Sequence, residues 1–267
     1  MKSGYTSLVP AVEQAGKILV CLAQGPSFKM RLTDICNHVD IHKSKGYSIL
    51  NTLQKFGFVQ KDPEAKTYSL GPGLISLSRR VLDNLDYQEV VAPFLGTLAK
   101  QTKSTALFGV IADGHLFVVA KREGNQDIGI TIRLGHRFPI TWGAHGKAIV
   151  AFLPDVERER IMAGEKLYFH GDVSQLDRDR LQKELAACRR SGFAVDRGEL
   201  SPGINAVASP VFGSHGKLIG CLFVIGTFPA SLIQQYGSMV AESARKISYA
   251  LGADVEQIYH HVPMDDG

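Results

Sequence analysis

Residues 31–70 run RLTDICNHVDIHKSKGYSILNTLQKFGFVQKDPEAKTYSL. They read as one helix over Leu32 to Val39, a sharp turn at Asp40-Ile41, and a second helix over His42 to Phe56. From Gly57 to Leu70 the residue types change. Phe58, Val59, Tyr68 and Leu70 are strand formers, and Asp62-Pro63 between them supplies the chemistry of a hairpin turn. Helix, turn, helix and hairpin in that order form a winged helix-turn-helix, which can present its second helix to the major groove of DNA.

Upstream, Val12, Ala15, Ile18, Leu19 and Leu22 recur at helical spacing, so a further helix is expected from about Val9 to Ala23, ended by Gly25-Pro26. Charge is distributed unevenly. The first 70 residues carry nine Lys and Arg against five Asp and Glu, whereas the remainder carries 21 of each, so the whole net charge of +4 lies in the N-terminal module. Such an excess attracts phosphate by counterion release, without reading sequence. Taken alone, it equally describes a solvated basic surface.

A chain of 267 residues suggests two domains. Its 45% hydrophobic and 21% charged content is that of a globular protein. No apolar run is long enough to span a bilayer, and the N-terminus has no signal-like apolar core, so a cytoplasmic protein without membrane contact is expected. Cys21, Cys36, Cys188 and Cys221 are widely spaced in apolar patterns and read as reduced packing residues.

Downstream, Gly71-Pro72-Gly73 marks a break. Leu74, Leu77, Val81 and Leu85 then make one apolar stripe on a polar helix, suited to an interdomain or dimer-forming linker. A helix is expected over Tyr87 to Lys100. Strands follow over Thr105 to Ile111 and Leu116 to Lys121 around Asp113-Gly114, then over Ile128 to Leu134 and Arg137 to Ile140. Helices are expected from about Ala144 to Phe152, after Pro154, and over Leu176 to Ser191. Strands at Phe193 to Arg197, Ala206 to Phe212 and Leu218 to Gly226 precede a closing helix over about Ala230 to Leu251. The fold class is α+β, a mostly antiparallel sheet with flanking helices behind the winged module. The expected divisions are a DNA-binding domain over 1–70, a linker helix over 71–86, a second domain over 87–252 and a tail over 253–267.

These residues together resemble the IclR family of bacterial transcriptional regulators, over roughly residues 5 to 252. The resemblance is carried by Val12-x-x-Ala15-x-x-Ile18-Leu19, Lys43-Ser44, Leu50-x-Thr52-Leu53-x-x-x-Gly57-Phe58-Val59, Asp62-Pro63 and Tyr68-x-Leu70-Gly71. Further on it rests on Ala112-Asp113-Gly114, Gly146-Lys147-Ala148, Arg190-x-Gly192-Phe193-Ala194-x-Asp196, Gly203 and Ala208-Ser209-Pro210-Val211-Phe212. It implies a DNA-binding homodimer, often a tetramer, whose GAF-like C-terminal domain binds a small organic effector and controls a catabolic operon. No cofactor or metal is expected.

For the double-stranded operator, the start of the second winged-module helix offers Lys43, Ser44, Lys45, Tyr47 and Ser48 as base or phosphate contacts. Lys61 and Lys66 on the wing and Arg31 with Thr33 are candidate phosphate contacts, Thr33 being first of all a helix N-cap. The family usually has Thr or Ser where Lys45 stands and Arg where Ser48 stands, so its operator preferences do not transfer.

For the effector, Trp142-Gly143-Ala144-His145-Gly146-Lys147 leads into a helix, whose first amides, at Ala144, His145 and Gly146, suit a carboxylate. The segment is not a phosphate loop, because Thr141 and Ala148 stand where Gly and Ser or Thr are required. The resemblance adds Ile130, Phe138, Asp196, Ile204, Ala206, Phe223 and Ile225. Relatives that bind small polar oxoacids have serines at the positions of Phe223 and Ile225, so an effector with an apolar or aromatic body and one carboxylate is expected here. Alternatively, Phe223 and Ile225 are plain strand core. Asp196 meets a ligand hydroxyl, meets His145, or fixes its own loop; His145 is a ligand contact or a surface residue at a helix cap.

Two other classes compete. An enzyme acting on a small carboxylate needs a nucleophile with its base or clustered ligands, but the nine histidines include no helical His-x-x-x-His pair and no His-Glu-x-x-His, and Ser201 and Ser209 lack a nucleophile elbow. His260-His261, in a tail read as disordered, is a weak adventitious metal site. A winged helix can also serve as a module for RNA or protein partners.

Overall fold

The computed structural model describes residues 8–25, 27–83, 87–124, 130 and 132–260. The chain divides into two compact units, residues 1–85 and 86–267.

The first unit contains α1 (Pro10–Gln24), β1 (Met30–Arg31), α2 (Leu32–Val39), α3 (Lys43–Lys55), β2 (Val59–Asp62), β3 (Thr67–Leu70) and α4 (Gly73–Asp83). Its core joins Ile18 and Leu22 of α1, Ile35 of α2, and Ile49, Leu50 and Leu53 of α3, closed by Val59 and Tyr68 of the wing. α2 ends because Asp40 adopts a left-handed φ of 57° while the Ile41 N–H returns to the Cys36 carbonyl at 3.0 Å. α3 passes so close to α2 that a Cβ on Gly46 would lie 2.4 Å from Cys36 Sγ. The helix penalty of that glycine, about 1 kcal/mol, is offset by the tight crossing.

The wing turn is held by Asp62, whose Oδ1 accepts from the N–H groups of Glu64 (3.2 Å) and Ala65 (3.1 Å). β1 is an addition to the sequence reading. Met30 and Arg31 pair with Tyr68 and Thr67, making a three-stranded sheet in the order β1-β3-β2. Two residues are too few to show a period of two, so this strand is set by its partner.

The second unit contains α5 (Tyr87–Thr102), β4 (Thr105–Ala112), β5 (His115–Arg122), β6 (Arg137–Pro139), α6 (Gly143–Ala151), α7 (Asp155–Met162), α8 (Arg178–Ser191), β7 (Ala194–Arg197), β8 (Asn205–Phe212), β9 (Leu218–Gly226), α9 (Ile233–Ala250) and α10 (Val255–His260). Among the described residues its strands form one antiparallel sheet in the order β6-β5-β4-β9-β8-β7. Asp113 (φ 47°) and Gly114 (φ 70°) are both left-handed at the β4–β5 tip, as their residue types require.

Side chains alternate across the sheet. Ala106, Phe108, Val207 and Val224 pack with Val91, Leu95 and Leu98 of α5 and Val240, Ala244 and Ile247 of α9. Leu107, Ala208 and Phe223 face the other way, against Ala144, Ala148 and Ile149 of α6 and Leu181 and Leu185 of α8. α6 is buried along its whole length, so its first turn lies within the protein.

Two expectations are corrected. Of the strand expected over Ile128 to Leu134, residues 128, 129 and 131 lie outside the described residues, and Leu134 with Gly135 (φ 79°) forms a turn. The stretch 253–267 is not wholly a tail, because Val255–His260 is helical. Asp254 caps it by accepting from the Gln257 N–H at 3.1 Å, and the Tyr259 ring packs on Phe152 and Phe212 with Arg245 over its face. The Asp-x-x-Gln cap was a legible start signal. The His260-His261 pair lies outside the residues whose side chains are described, as do Val81 and Leu85 of the linker stripe.

Candidate functional site

In the first unit, Lys43, Ser44, Lys45, Tyr47 and Ser48 are all exposed along the first turns of α3. That end carries no acidic residue in its first turn. Two cations at the positive end of a helix dipole are mutually unfavourable, and they strengthen its pull on an external anion. Buried Gly46, Ile49 and Leu50 form the opposite face, so packing dictates which side chains are presented.

The candidates are not equivalent. Ser48 Oγ donates to the Ser44 carbonyl at 3.0 Å, back onto its own helix. Lys61 Nζ lies 5.6 Å from the Tyr47 ring centre and 5.8 Å from that of Tyr68, tying the wing to α3 by cation–π attraction. Lys66 is exposed beside the wing tip. Arg31 is exposed and belongs to β1. The N-cap of α2 is Arg31 and not Thr33, because the chain is still extended in β1 up to that residue; the Thr33 hydroxyl donates to Asp34 Oδ1 at 3.3 Å. The sequence reading missed Lys29, whose ammonium holds Asp62 Oδ2 at 3.0 Å and anchors the wing tip.

In the second unit the effector candidates converge on the α6 face of the sheet. Asp196, Ala206 and Ile225 occupy one cross-strand row, and Ala208 and Phe223 the next. Thr105 pairs with Ile225, and its hydroxyl donates to the Ile130 carbonyl at 2.8 Å, which brings Ile130 to the same row. Above them stands a ring cluster. Phe138 lies 5.7 Å from Trp142, 4.9 Å from His145 and 6.4 Å from Phe223, and His145 lies 5.7 Å from Phe223. Phe223 is therefore core and ring-cluster member at once. Ile130, Phe138, Trp142, Ala206 and Ile225 are only half-buried although they sit among buried neighbours. Ile204 is half-buried just before β8.

The α6 terminus differs in detail from expectation. The helix starts at Gly143, one residue earlier, so the Gly146 N–H already donates to the Trp142 carbonyl at 3.0 Å. The first-turn amides of Ala144 and His145 remain without an intrahelical partner by helix geometry. Gly143 (φ 53°) is pressed against the loop after β7, where a Cβ would lie 2.4 Å from Leu200 Cδ1 and 3.1 Å from Asp196 Oδ2.

His145 is 6% exposed, which removes the surface-cap alternative. Its Nε2 faces the Pro139 carbonyl at 3.3 Å, assigning the proton to Nε2 in the neutral ring. Burial pushes its pKa from 6.5 down to about 4, so the ring is neutral at neutral pH. Asp196 is 3% exposed and accepts from the Glu199 N–H at 2.7 Å, the loop-fixing role. Burial raises its pKa against the opposing pull of Lys147.

The sequence reading also missed Lys147, Glu184 and Glu199. The signal was a lysine inside an otherwise apolar helix, GAHGKAIVA. The four cysteines are buried free thiols, with Cys188 pushed up to about 12 by burial. Among the described residues no helix is long and apolar enough to cross a membrane.

The chain matches the family described as bacterial transcriptional regulator IclR C-terminal over residues 79–249, and the IclR helix-turn-helix domain over residues 11–63. It is 28% identical over 215 residues to the HTH-type transcriptional regulator XynR of Escherichia coli, covering 80% of this chain and 85% of that one. An IclR transcriptional regulator from Alicyclobacillus acidocaldarius superimposes with a TM-score of 0.80 at 28% identity, over 92% of this chain and all of that one. An IclR homolog from Microbacterium hydrocarbonoxydans, solved in complex with 4-hydroxybenzoate, shares the fold with a TM-score of 0.73 at 17% identity, over 90% of this chain and 98% of that one. With a basic recognition helix at one end, an α+β domain at the other and both family matches spanning them, the chain belongs to the IclR family of DNA-binding transcriptional regulators.

Proposed function

We propose that this regulator is controlled by a small organic acid with an apolar or aromatic body and one carboxylate, bound in the second unit on the α6 face of the sheet. The observation that carries this reading is the ring cluster of Phe138, Trp142, His145 and Phe223 beside the half-buried Ile225 and Ala206. Apolar rings accept an apolar ligand body and offer few donors, and a buried ligand polar group left unpaired is penalised by ~1–3 kcal/mol. The amides of Ala144 and His145 are the candidate partners of the carboxylate.

In this reading residues 1–70 bind the operator through Lys43, Ser44, Lys45 and Tyr47 on α3, with Arg31, Thr33, Ser48, Lys61 and Lys66 in supporting positions. Residues 71–86 link two copies, and 87–252 sense the effector. Exposed Ile75 and Leu77 on α4 support a dimer. The protein acts in the cytoplasm and turns over no substrate.

The test uses Trp142, the chain's one tryptophan. Its emission is titrated with benzoate and 4-hydroxybenzoate, and separately with glyoxylate and pyruvate, while anisotropy follows a labelled upstream duplex. Saturable response to the aromatic acids with a shift in duplex affinity is expected. Tight binding of the oxoacids with none of the aromatic acids would overturn the effector class.

A further inference from the structure

Lys147 is 1% exposed at its side chain and lies in the middle of α6. Its ammonium touches three separate elements: Glu184 Oε2 on α8 at 2.8 Å, Glu199 Oε2 in the loop after β7 at 3.0 Å, and the Val195 carbonyl of β7 at 3.1 Å. Arg180 grips the other oxygens of both carboxylates, and His170 Nε2 lies 2.9 Å from Glu184 Oε2. His170, Glu184 and Glu199 present ligand atoms within 4.8 Å of one another, but the Lys147 ammonium sits against both carboxylates. The place a cation would take is filled by the chain's own.

An ammonium buried this deeply is strongly disfavoured unless each donor is used. Burial does press its pKa downward, with Glu184 and Asp196 opposing. An apolar residue would fill α6 at lower desolvation cost, so packing alone does not explain a lysine here. What the lysine provides is a link. One end of the link is the helix whose N-cap is Trp142 and whose first turn holds Ala144 and His145; the other is the loop that follows Asp196 of β7 and runs to Ile204. From that loop the connection continues through the Glu199 N–H back to Asp196 Oδ1 at the end of β7, and Gly143 allows the two walls to meet at Leu200.

We infer that Lys147 is a positioning residue of the effector site, acting through Glu199 to hold the loop after β7 against the first turn of α6. This rests on the reading of those two walls as the effector site. Lys147 touches no effector; it sets the separation of the groups that do.

The test reads the walls in the unliganded full chain, so it is independent of whether any acid binds. Hydrogen exchange is followed in the wild type, in Lys147→Met and in Glu199→Gln, together with acrylamide quenching of Trp142. Exchange at residues 198–204 is expected to rise on the order of tenfold in both variants, with quenching of Trp142 increased, while Val207 and Val224 on the α5–α9 face change less than about twofold. A rise by the same factor on both faces would reduce Lys147 to a general stability element and overturn the inference, as would no rise. If Lys147→Met fails to fold, Glu199→Gln decides by the same criterion. Failure of the effector reading would appear elsewhere, as absent binding of benzoate and 4-hydroxybenzoate by a chain whose walls exchange as expected.

Discussion

The two units solve opposite recognition problems. In the first, the candidate contacts are mostly exposed side chains of α3 and the wing, joined by Arg31 of β1 and Thr33 of α2, all within about 40 residues of sequence. In the second, they are buried and half-buried side chains from β6, α6, β7, β8 and β9, which lie up to about 90 residues apart in the chain. A DNA surface needs charge projecting outward from a rigid helix, and local periodicity is enough to build that. A small-molecule site needs a concavity, which exists only after distant strands have paired.

Substitutions that strike one unit and spare the other sharpen this contrast. The largest effect is expected for Phe223→Ser, which removes a buried ring at the centre of the second unit's cluster. The loss should be about 3 kcal/mol of stability in that unit. Urea unfolding followed through Trp142 reports it, and duplex binding by the folded protein at low denaturant should keep its salt dependence.

Acid comes next. His145 is neutral in the fold, with its pKa pushed down to about 4 from 6.5. Below about pH 6.5 folding therefore expels a proton. The stabilisation is complete above about pH 6.5 and is lost as pH falls toward 4, amounting to about 2 kcal/mol by pH 5. His145→Gln should flatten the pH dependence of the Trp142 transition over that window. An unchanged slope would mean that another group titrates.

In the first unit, Gly46→Ala places a methyl against Cys36 Sγ. Overpacking at the α2–α3 crossing should cost about 1–2 kcal/mol, read as a lower melting point of unit one with the Trp142 transition unmoved. A stabilised variant would show that the thiol can swing aside and that only helix propensity mattered.

The smallest effect is the most diagnostic for recognition. Lys66→Ala should weaken all duplexes alike and reduce the slope of log affinity against log salt by about 0.9. Neutralising Lys43 and Lys45 should also erode preference for the operator over an unrelated duplex. Equal losses on every duplex from both changes would contradict the separate roles of helix and wing.

Legibility followed the same division. The order of α1, α2, α3 and the wing could be read from helical spacing, Asp40-Ile41 and Asp62-Pro63, because those signals are local. β1 could not, since two residues carry no period. In the second unit Asp113-Gly114 announced its hairpin and Leu218–Gly226 its strand, but nothing in one dimension showed that Asp196, Ala206 and Ile225 would share a row. The Gly146 amide was misassigned because a one-residue shift in the helix start changes which N–H groups are free. Lys147 went unassigned because its partners lie on α8 and in the loop after β7.

By itself, then, the amino-acid order determined the winged module, its concentration of positive charge, the α+β class and the family, since each rests on neighbours in sequence or on motifs kept in order. Tertiary structure alone decided which face of the sheet carries the rings, that His145 is buried and neutral, and that a lysine serves as the internal cation between two carboxylates. These depend on strand register and on desolvation, and both arise only when segments far apart in the chain are brought into contact and water is excluded between them.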